Sequence, residues 1–375
     1  MDPSRGWPFQ MALRALWLAA AVASSHGAVL TSRAGGTRAA TPLRRMSGPV
    51  VLQVPQGDHI VGAMSACGSI SARAIVTTEL VSEATRLQGL GKVAAAALGR
   101  ALTCSLLIAE GAKDDESFQV KFNGDGPIRG VLATANGKLE SRGYVGNPNV
   151  SLPLNPLGKI DVGGAVGKGA LQVVRTKQLP GETLPSQYSS ITEIISGEIP
   201  EDINHYLLES EQREGGLAAG VFVKGGDGDG SGGVSRATIE AAGGWSVQLL
   251  PFAAEESVER LTANLQQPNL SPTEMIRSGM GPTQMIEKLL DGLEPQLSEA
   301  REPVGLAASC PCSEERVMRT ISLLPRSEIE DIIKREEVVE AKCEFCGTVY
   351  SKTSEQVAEE LAKKLQEGIQ DGATP

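Results

Sequence analysis

The chain has 375 residues, enough for two or three domains at roughly 150 residues each. A net charge of −10 with 3% aromatic residues excludes the basic, stacking surface of a general nucleic-acid binder. No run of about 18 or more apolar residues is free of charge, so no membrane-spanning helix is expected in the mature protein.

The charge is uneven. Residues 1–50 hold six arginines and one acid, Asp2, and no further acid occurs before Asp58. Ala15 to Ala23 is a nine-residue apolar core behind Arg14, followed by small residues, which is signal-peptide architecture. The next stretch, TSRAGGTRAATPLRRMSG, has the Arg/Ser/Thr-rich, acid-free composition of a transit peptide. Residues 1–49 therefore read as a targeting segment. The two-part address points to a plastid (chloroplast stroma), with the mitochondrion as the alternative.

Residues 50–251 read as an α+β core, an antiparallel sheet packed with helices. Val50 to Val61 reads as strand and turn, and Thr77 to Leu87 and Lys92 to Glu110 as helices. The second helix is Ala-rich and nearly all apolar, so burial on most sides is expected. Cys104 lies in it and reads as a small buried hydrophobe, as does Cys67. From Glu116 the period changes to two. SFQVKF and IRGVLATA flank Asn123-Gly124-Asp125-Gly126-Pro127, a hairpin. KLESRGYV, GKIDVG and ALQVVRT read as further strands, Asp202 to Gln212 as a helix, and Leu217 to Val223 and Trp245 to Pro251 as strands. Gly225 to Gly233 alternates Asp and Gly. Such alternation binds calcium in repeat proteins, but without a repeat it reads as a hairpin loop. The histidines, His26, His59 and His205, have no nucleophile signature around them, which argues against a histidine-based hydrolase.

Residues 252–309 read as a helical linker. Ser271-Pro272-Thr273-Glu274 has the pattern of a capping box. The helix it opens meets Gly279, Gly281 and Pro282 within two turns. Helix pieces this short are marginal unless docked on a neighbour.

Residues 310–375 carry the remaining four cysteines, Cys310-Pro311-Cys312 and Cys343-Glu344-Phe345-Cys346-Gly347. Thiolates grouped two and two suit tetrahedral zinc, one ion per chain. The glycine after Cys346 allows a tight turn that points amides at sulfur. A thioredoxin-like CxxC needs a βαβ context that the sequence lacks. Ser327 to Glu330 and Thr353 to Gln356 read as capping boxes, and Val357, Leu361 and Leu365 as one apolar stripe. Apolar residues are otherwise few, so loss of zinc should unfold this domain. Metal-bound thiols are deprotonated, and thiolate is the form that peroxide attacks. The chain-entropy relation gives about 2 kcal/mol for closing a four-residue loop and nearly 4 for one of about 34. Bridges within each pair would remove the zinc clamp and restore little. Bridges between the pairs would keep the domain stapled.

The segment from Cys310 to Tyr350 resembles the zinc domain of the redox-regulated thirty-three-kilodalton chaperonin family. NGDGPIRGV resembles that family's hairpin, and LLESEQ followed by AAGGWSVQLLP the end of its N-terminal domain. The resemblance spans roughly Val50 to Ile369. The address, the 225–233 loop, Cys67 and Cys104 match no family motif. It implies an ATP-independent holdase, not an enzyme, that is inactive when reduced and zinc-bound. Under oxidation, Cys310 would pair with Cys312 and Cys343 with Cys346. Zinc release would then unfold the domain and linker. The oxidised form would be a homodimer holding unfolded or oxidatively damaged proteins, later handed to ATP-dependent chaperones, with no nucleic-acid or membrane partner. Two other readings are a static zinc-binding adaptor and a thiol-disulfide oxidoreductase.

Overall fold

The structure, a computed structural model, describes residues 57–178, 184–224, 237–305, 310–334 and 338–360. The address (1–49), the 225–233 loop, and Leu361 and Leu365 of the C-terminal stripe lie outside these residues. The chain divides into two units, residues 1–305 and 306–375.

The first unit holds two five-stranded antiparallel sheets. One has the order β10-β1-β2-β9-β8, from β1 (Ile60–Met64), β2 (Ile70–Val76), β8 (Gly215–Lys224), β9 (Thr238–Leu249) and β10 (Gln296–Leu297). The other has the order β5-β4-β3-β6-β7, from β3 (Glu116–Gly124), β4 (Val131–Asn136), β5 (Ser141–Val145), β6 (Gly169–Lys177) and β7 (Ser186–Glu193). Four helices accompany them: α1 (Thr78–Gln88), α2 (Lys92–Ala109), α3 (Val162–Val166) and α4 (Pro200–Glu209). This is the α+β class that the periodicities predict.

α2 packs against strands of both sheets. Every residue in it except Lys92 and Arg100 is buried, and Arg100 pairs with Glu198. The helix is long and apolar enough to cross a membrane, but 89% of it is buried inside the fold, the place of a core helix. Its small residues admit close approach from two sides. A Cβ on Gly99 would stand 2.6 Å from Val81 and 2.7 Å from Val221. On the facing strand, a Cβ on Gly143 would stand 2.9 Å from Leu98.

The linker sequence forms α5 (Glu255–Leu265), α6 (Pro272–Arg277) and α7 (Pro282–Leu289). These short helices are docked. Val258, Leu261, Leu265, Met285, Ile286 and Leu289 share one buried cluster with Ile70, Ala72, Trp245 and Val247 of the first sheet. The Trp245 indole N–H donates to Leu270 O (2.9 Å), and Asn264 Nδ2 donates to Leu289 O (3.0 Å) and Asp291 O (2.9 Å). The sheet is therefore covered on both faces, which is why β8 is buried from Gly216 to Val221 without alternation.

The second unit consists of α8 (Glu314–Ile321), α9 (Arg326–Lys334), the antiparallel hairpin of β11 (Val338–Lys342) and β12 (Val349–Thr353), and a helical stretch over 354–360. Among the described residues, its buried apolar cluster is Met318, Ile321 and Val357, with Val317 and Val339 partly buried beside it.

Some local expectations fail for physical reasons. GKIDVG is not a strand: Asp161 accepts from Gly164 N–H (2.8 Å) and caps α3. β7 gives no sequence signal because it is a largely exposed edge strand. Ser271 precedes α6 but makes no side-chain cap bond; its hydroxyl meets Thr273 Oγ1 at 3.0 Å. The cap next in line belongs to α7, where Gly281 N–H donates to Gln284 Oε1 (2.9 Å). Ser327 lies inside the first turn of α9 and not before it. The Thr353–Gln356 box does form: Thr353 N–H donates to Gln356 Oε1 (3.0 Å) and Gln356 N–H to Thr353 Oγ1 (3.3 Å).

Candidate metal centre

The local chain places each cysteine pair. Cys310 and Cys312 sit directly ahead of α8, whose start is fixed by Ser313 Oγ accepting from Arg316 N–H (3.3 Å). Cys343 to Cys346 form the turn of the β11–β12 hairpin. Cys343 N–H donates to Thr348 O and Gly347 N–H to Cys343 O, both at 2.9 Å. Gly347 takes φ 73°, the left-handed conformation that glycine adopts without strain. The turn aims the Phe345 and Cys346 amides at the Cys343 sulfur, and the Cys312 amide points at that of Cys310.

All four Sγ atoms lie within 4.8 Å of one another. Cys310 and Cys343 sulfurs are 3.7 Å apart, and those of Cys312 and Cys346 are 3.4 Å apart. A tetrahedral zinc with bonds of about 2.3 Å would hold its sulfurs about 3.8 Å apart. The four sulfurs thus fit a tetrahedral metal, and the amides aimed at them suit thiolates.

The thiols differ. Burial pushes Cys310 up to about 12 and also raises Cys343. Burial opposes ionisation of Cys346 as well, but hydrogen bonds from Thr348, followed by those from Cys312 and Cys310, outweigh it and bring that thiol down to about 6. Two neighbours went unnoticed in the sequence. Thr348 Oγ1 lies 3.1 Å from Cys346 Sγ, and Tyr350 Oη donates to Cys312 Sγ at 3.1 Å. Their signal is the strand register of GTVY, in which Thr348 and Tyr350 are two residues apart and share a face.

The remaining cysteines belong to the first unit. Cys104 is buried, as expected, and desolvation raises its pKa. Cys67 is exposed, which corrects the buried reading: it lies in the turn between β1 and β2, where its thiol meets only the hydroxyls of Ser65 and, on α5, Ser257 (both 3.3 Å) and is not enclosed by apolar side chains. Hydrogen bonds with Ser257 and then Ser65 lower that thiol to about 6.

Residues 58–353 match the family model described as Hsp33 protein. The chain belongs to the Hsp33 family. A 33 kDa chaperonin of Nostoc punctiforme is 38% identical over 317 residues, covering 84% of this chain and 99% of the relative. The 33 kDa chaperonin of Symbiobacterium thermophilum is 38% identical over 315 residues, with the same coverage. The crystal structure of the 33 kDa chaperonin from Thermotoga maritima superposes with a TM-score of 0.71 at 30% identity, covering 82% of this chain and 99% of that one. The Hsp33 family match begins after the N-terminal address and includes all four clustered cysteines.

Proposed function

We propose that the chain is a redox-switched, ATP-independent holdase, not an enzyme, whose switch is the four-cysteine cluster loaded with one zinc ion. The observation that carries this reading is the pairing of that cluster with a small core. Among the described residues, only Met318, Ile321 and Val357 form the buried apolar cluster of the second unit. Each such side chain contributes about 1.5–3 kcal/mol, against roughly 10–16 kcal/mol for structural zinc in small peptides.

Zinc would supply a tetrahedral clamp and keep the sulfurs as thiolates. The chain does the rest. Cys310, Cys312, Cys343 and Cys346 give up two electrons per disulfide formed, and each peroxide consumed takes up two protons and leaves as two waters. Bonds within pairs, Cys310 to Cys312 and Cys343 to Cys346, remove the metal's ligands while closing only short loops. The second unit then unfolds and the linker helices α5 to α7 follow. Unfolded or oxidatively damaged proteins bind the uncovered surface, the oxidised chain pairs as a homodimer, and clients pass to ATP-dependent chaperones after reduction. The relatives' name, chaperonin, supports the client class. Residues 1–49 direct the chain to a plastid, with the mitochondrion as alternative; a fluorescent fusion of that segment tests this.

The deciding experiment follows zinc release during peroxide treatment at mildly elevated temperature, with light scattering of a heat-unfolding client in the same samples. Release of one equivalent per chain, with new client protection that dithiothreitol reverses, is expected. Retained zinc, or release without protection, would make a static zinc-binding adaptor the better account. Insulin reduction with turnover would favour an oxidoreductase.

A further inference from the structure

Residues 293–304 run as a strap along the outer edge of β1, the strand that only β10 covers on that side. Main-chain bonds and one bond to a serine hydroxyl hold it. Ala66 N–H donates to Leu293 O (3.2 Å), and Gln296 and Leu297 pair with Met64 and Ala63. Ser298 N–H donates to Gly62 O (2.8 Å), and Gly62 N–H donates to Ser298 Oγ (2.9 Å). Ile60 N–H donates to Arg301 O (2.8 Å) and Arg301 N–H to Ile60 O (3.0 Å). Beyond this, Val304 N–H donates to Leu139 O and Ser141 N–H to Val304 O, both at 2.9 Å. Yet every residue from 296 to 302 is exposed. Leu293 anchors its start in the buried cluster of the linker helices, but from Gln296 to Glu302 the strap is seated by hydrogen bonds and not by buried side chains, and it ends a few residues before Cys310.

Backbone pairing of this kind carries no sequence preference; an extended chain of another protein can make the same bonds. An uncovered sheet edge is a template for such a chain. We propose that the strap is an exchangeable strand: when it lifts, the outer edge of β1 takes an extended segment of unfolded polypeptide in its place. This rests on the holdase reading and names where the client's backbone binds. The geometry selects a single strand over a second copy's sheet. The turn before β5 walls the same groove, and Arg301 Nη2 reaches across it to Gly137 O (2.6 Å). One chain fits between β1 and that turn. Recognition through Ile60, Gly62 and Met64 main-chain groups also suits a partner defined by being unfolded and not by its sequence.

The test is amide hydrogen exchange on the full chain, with heat-unfolded malate dehydrogenase as client. In the reduced, zinc-loaded protein the amides of Ile60 and Gly62 should be protected. Oxidation alone should speed their exchange by roughly two- to tenfold, the effect expected when a net backbone bond is lost. Client should restore protection. Client held in solution while these amides stay labile would overturn the proposal. So would protection that returns without client as protein concentration rises, since a second copy would then fill the edge. Failure to suppress aggregation at all would strike the holdase reading instead. A second variant then tests the edge alone. Ser298→Pro removes both bonds at Gly62 without touching a buried side chain. In that reduced variant an alternating Thr/Val peptide should protect Gly62, and the same peptide N-methylated at alternate residues should not. Equal effects of the two peptides, or no protection from either, would refute the edge as a binding site.

Discussion

Leu261→Ala should turn the reduced protein into a partly active holdase without loss of zinc. Leu261 is fully buried in α5, in the cluster that joins the linker helices to the first sheet. Removing a buried leucine side chain costs about 2–5 kcal/mol, a factor of roughly thirty to several thousand in an equilibrium constant. That loss falls on whichever transition breaks the contact first. α5, α6 and α7 are short, and α6 and α7 are separated by Gly279, which has φ 88°, and Gly281. Undocking of this segment therefore requires less free energy than unfolding the sheets around α2. The docked fraction should fall measurably while the metal centre stays intact. Trp245 lies under the linker and is the single tryptophan beyond residue 49, so its fluorescence reports undocking. The assay reads three quantities in reduced Leu261→Ala: tryptophan emission, zinc content and suppression of client aggregation. A red shift and gained protection with one zinc retained is the expected result. A variant that loses global stability, but neither shifts its emission nor protects client, would refute the separability of linker and core.

Three further outcomes follow from single sites. Mass-spectrometric mapping after peroxide should find Cys310–Cys312 and Cys343–Cys346 bridges; Cys310–Cys343 and Cys312–Cys346 bridges, between sulfurs 3.7 and 3.4 Å apart in the reduced cluster, would show that oxidation keeps the unit stapled. In the reduced, zinc-loaded chain Cys67 should alkylate readily, with its rate levelling off above about pH 7, because hydrogen bonds with Ser257 and Ser65 lower its thiol to about 6, whereas buried Cys104 should stay unlabelled; Ser257→Ala should move the Cys67 profile to higher pH. Asp58 is raised to about 6 by burial, although it accepts from Glu79 and Leu80 N–H at the start of α1. The folded state then binds the extra proton between about pH 4 and 6, so this group's contribution to stability falls as pH rises through that window, by at most about 3 kcal/mol, and Asp58→Asn should flatten the unfolding curve's pH dependence there.

The sequence shows most where one force dominates. α2 is legible because its residues are apolar on nearly every side, a pattern that demands burial, and the structure supplies it between the strands of two sheets. β3 and β4 are legible because one face of each is buried and the other is not, which writes a period of two into the chain. β7 is not legible, since its side chains are mostly exposed and its place is set by backbone pairing with β6. The strap from Leu293 to Val304 is hidden for the same reason. Cys67 misled because exposure depends on what covers the β1–β2 turn, a tertiary fact that SACGS does not encode.

The four-cysteine cluster is legible for a different reason: metal ligation demands a donor type and a spacing, and both are written in the chain. The scarcity of apolar residues in the second unit is legible too; what the sequence does not show is that, among the described residues, Met318 and Ile321 join Val357 in its buried cluster. Lys352 pairs with Glu314 (2.6 Å) and Glu360, but Glu314 is largely exposed, and such pairs contribute little. A unit with a larger core would survive the loss of its metal and could not act as a switch. One with no core at all would have no ordered state to lose. Met318, Ile321 and Val357 place it between these limits, which is what the proposed switch requires. Replacing Val357 by Ala should therefore lower the peroxide concentration at which zinc is released, and leave the stability of the first unit unchanged.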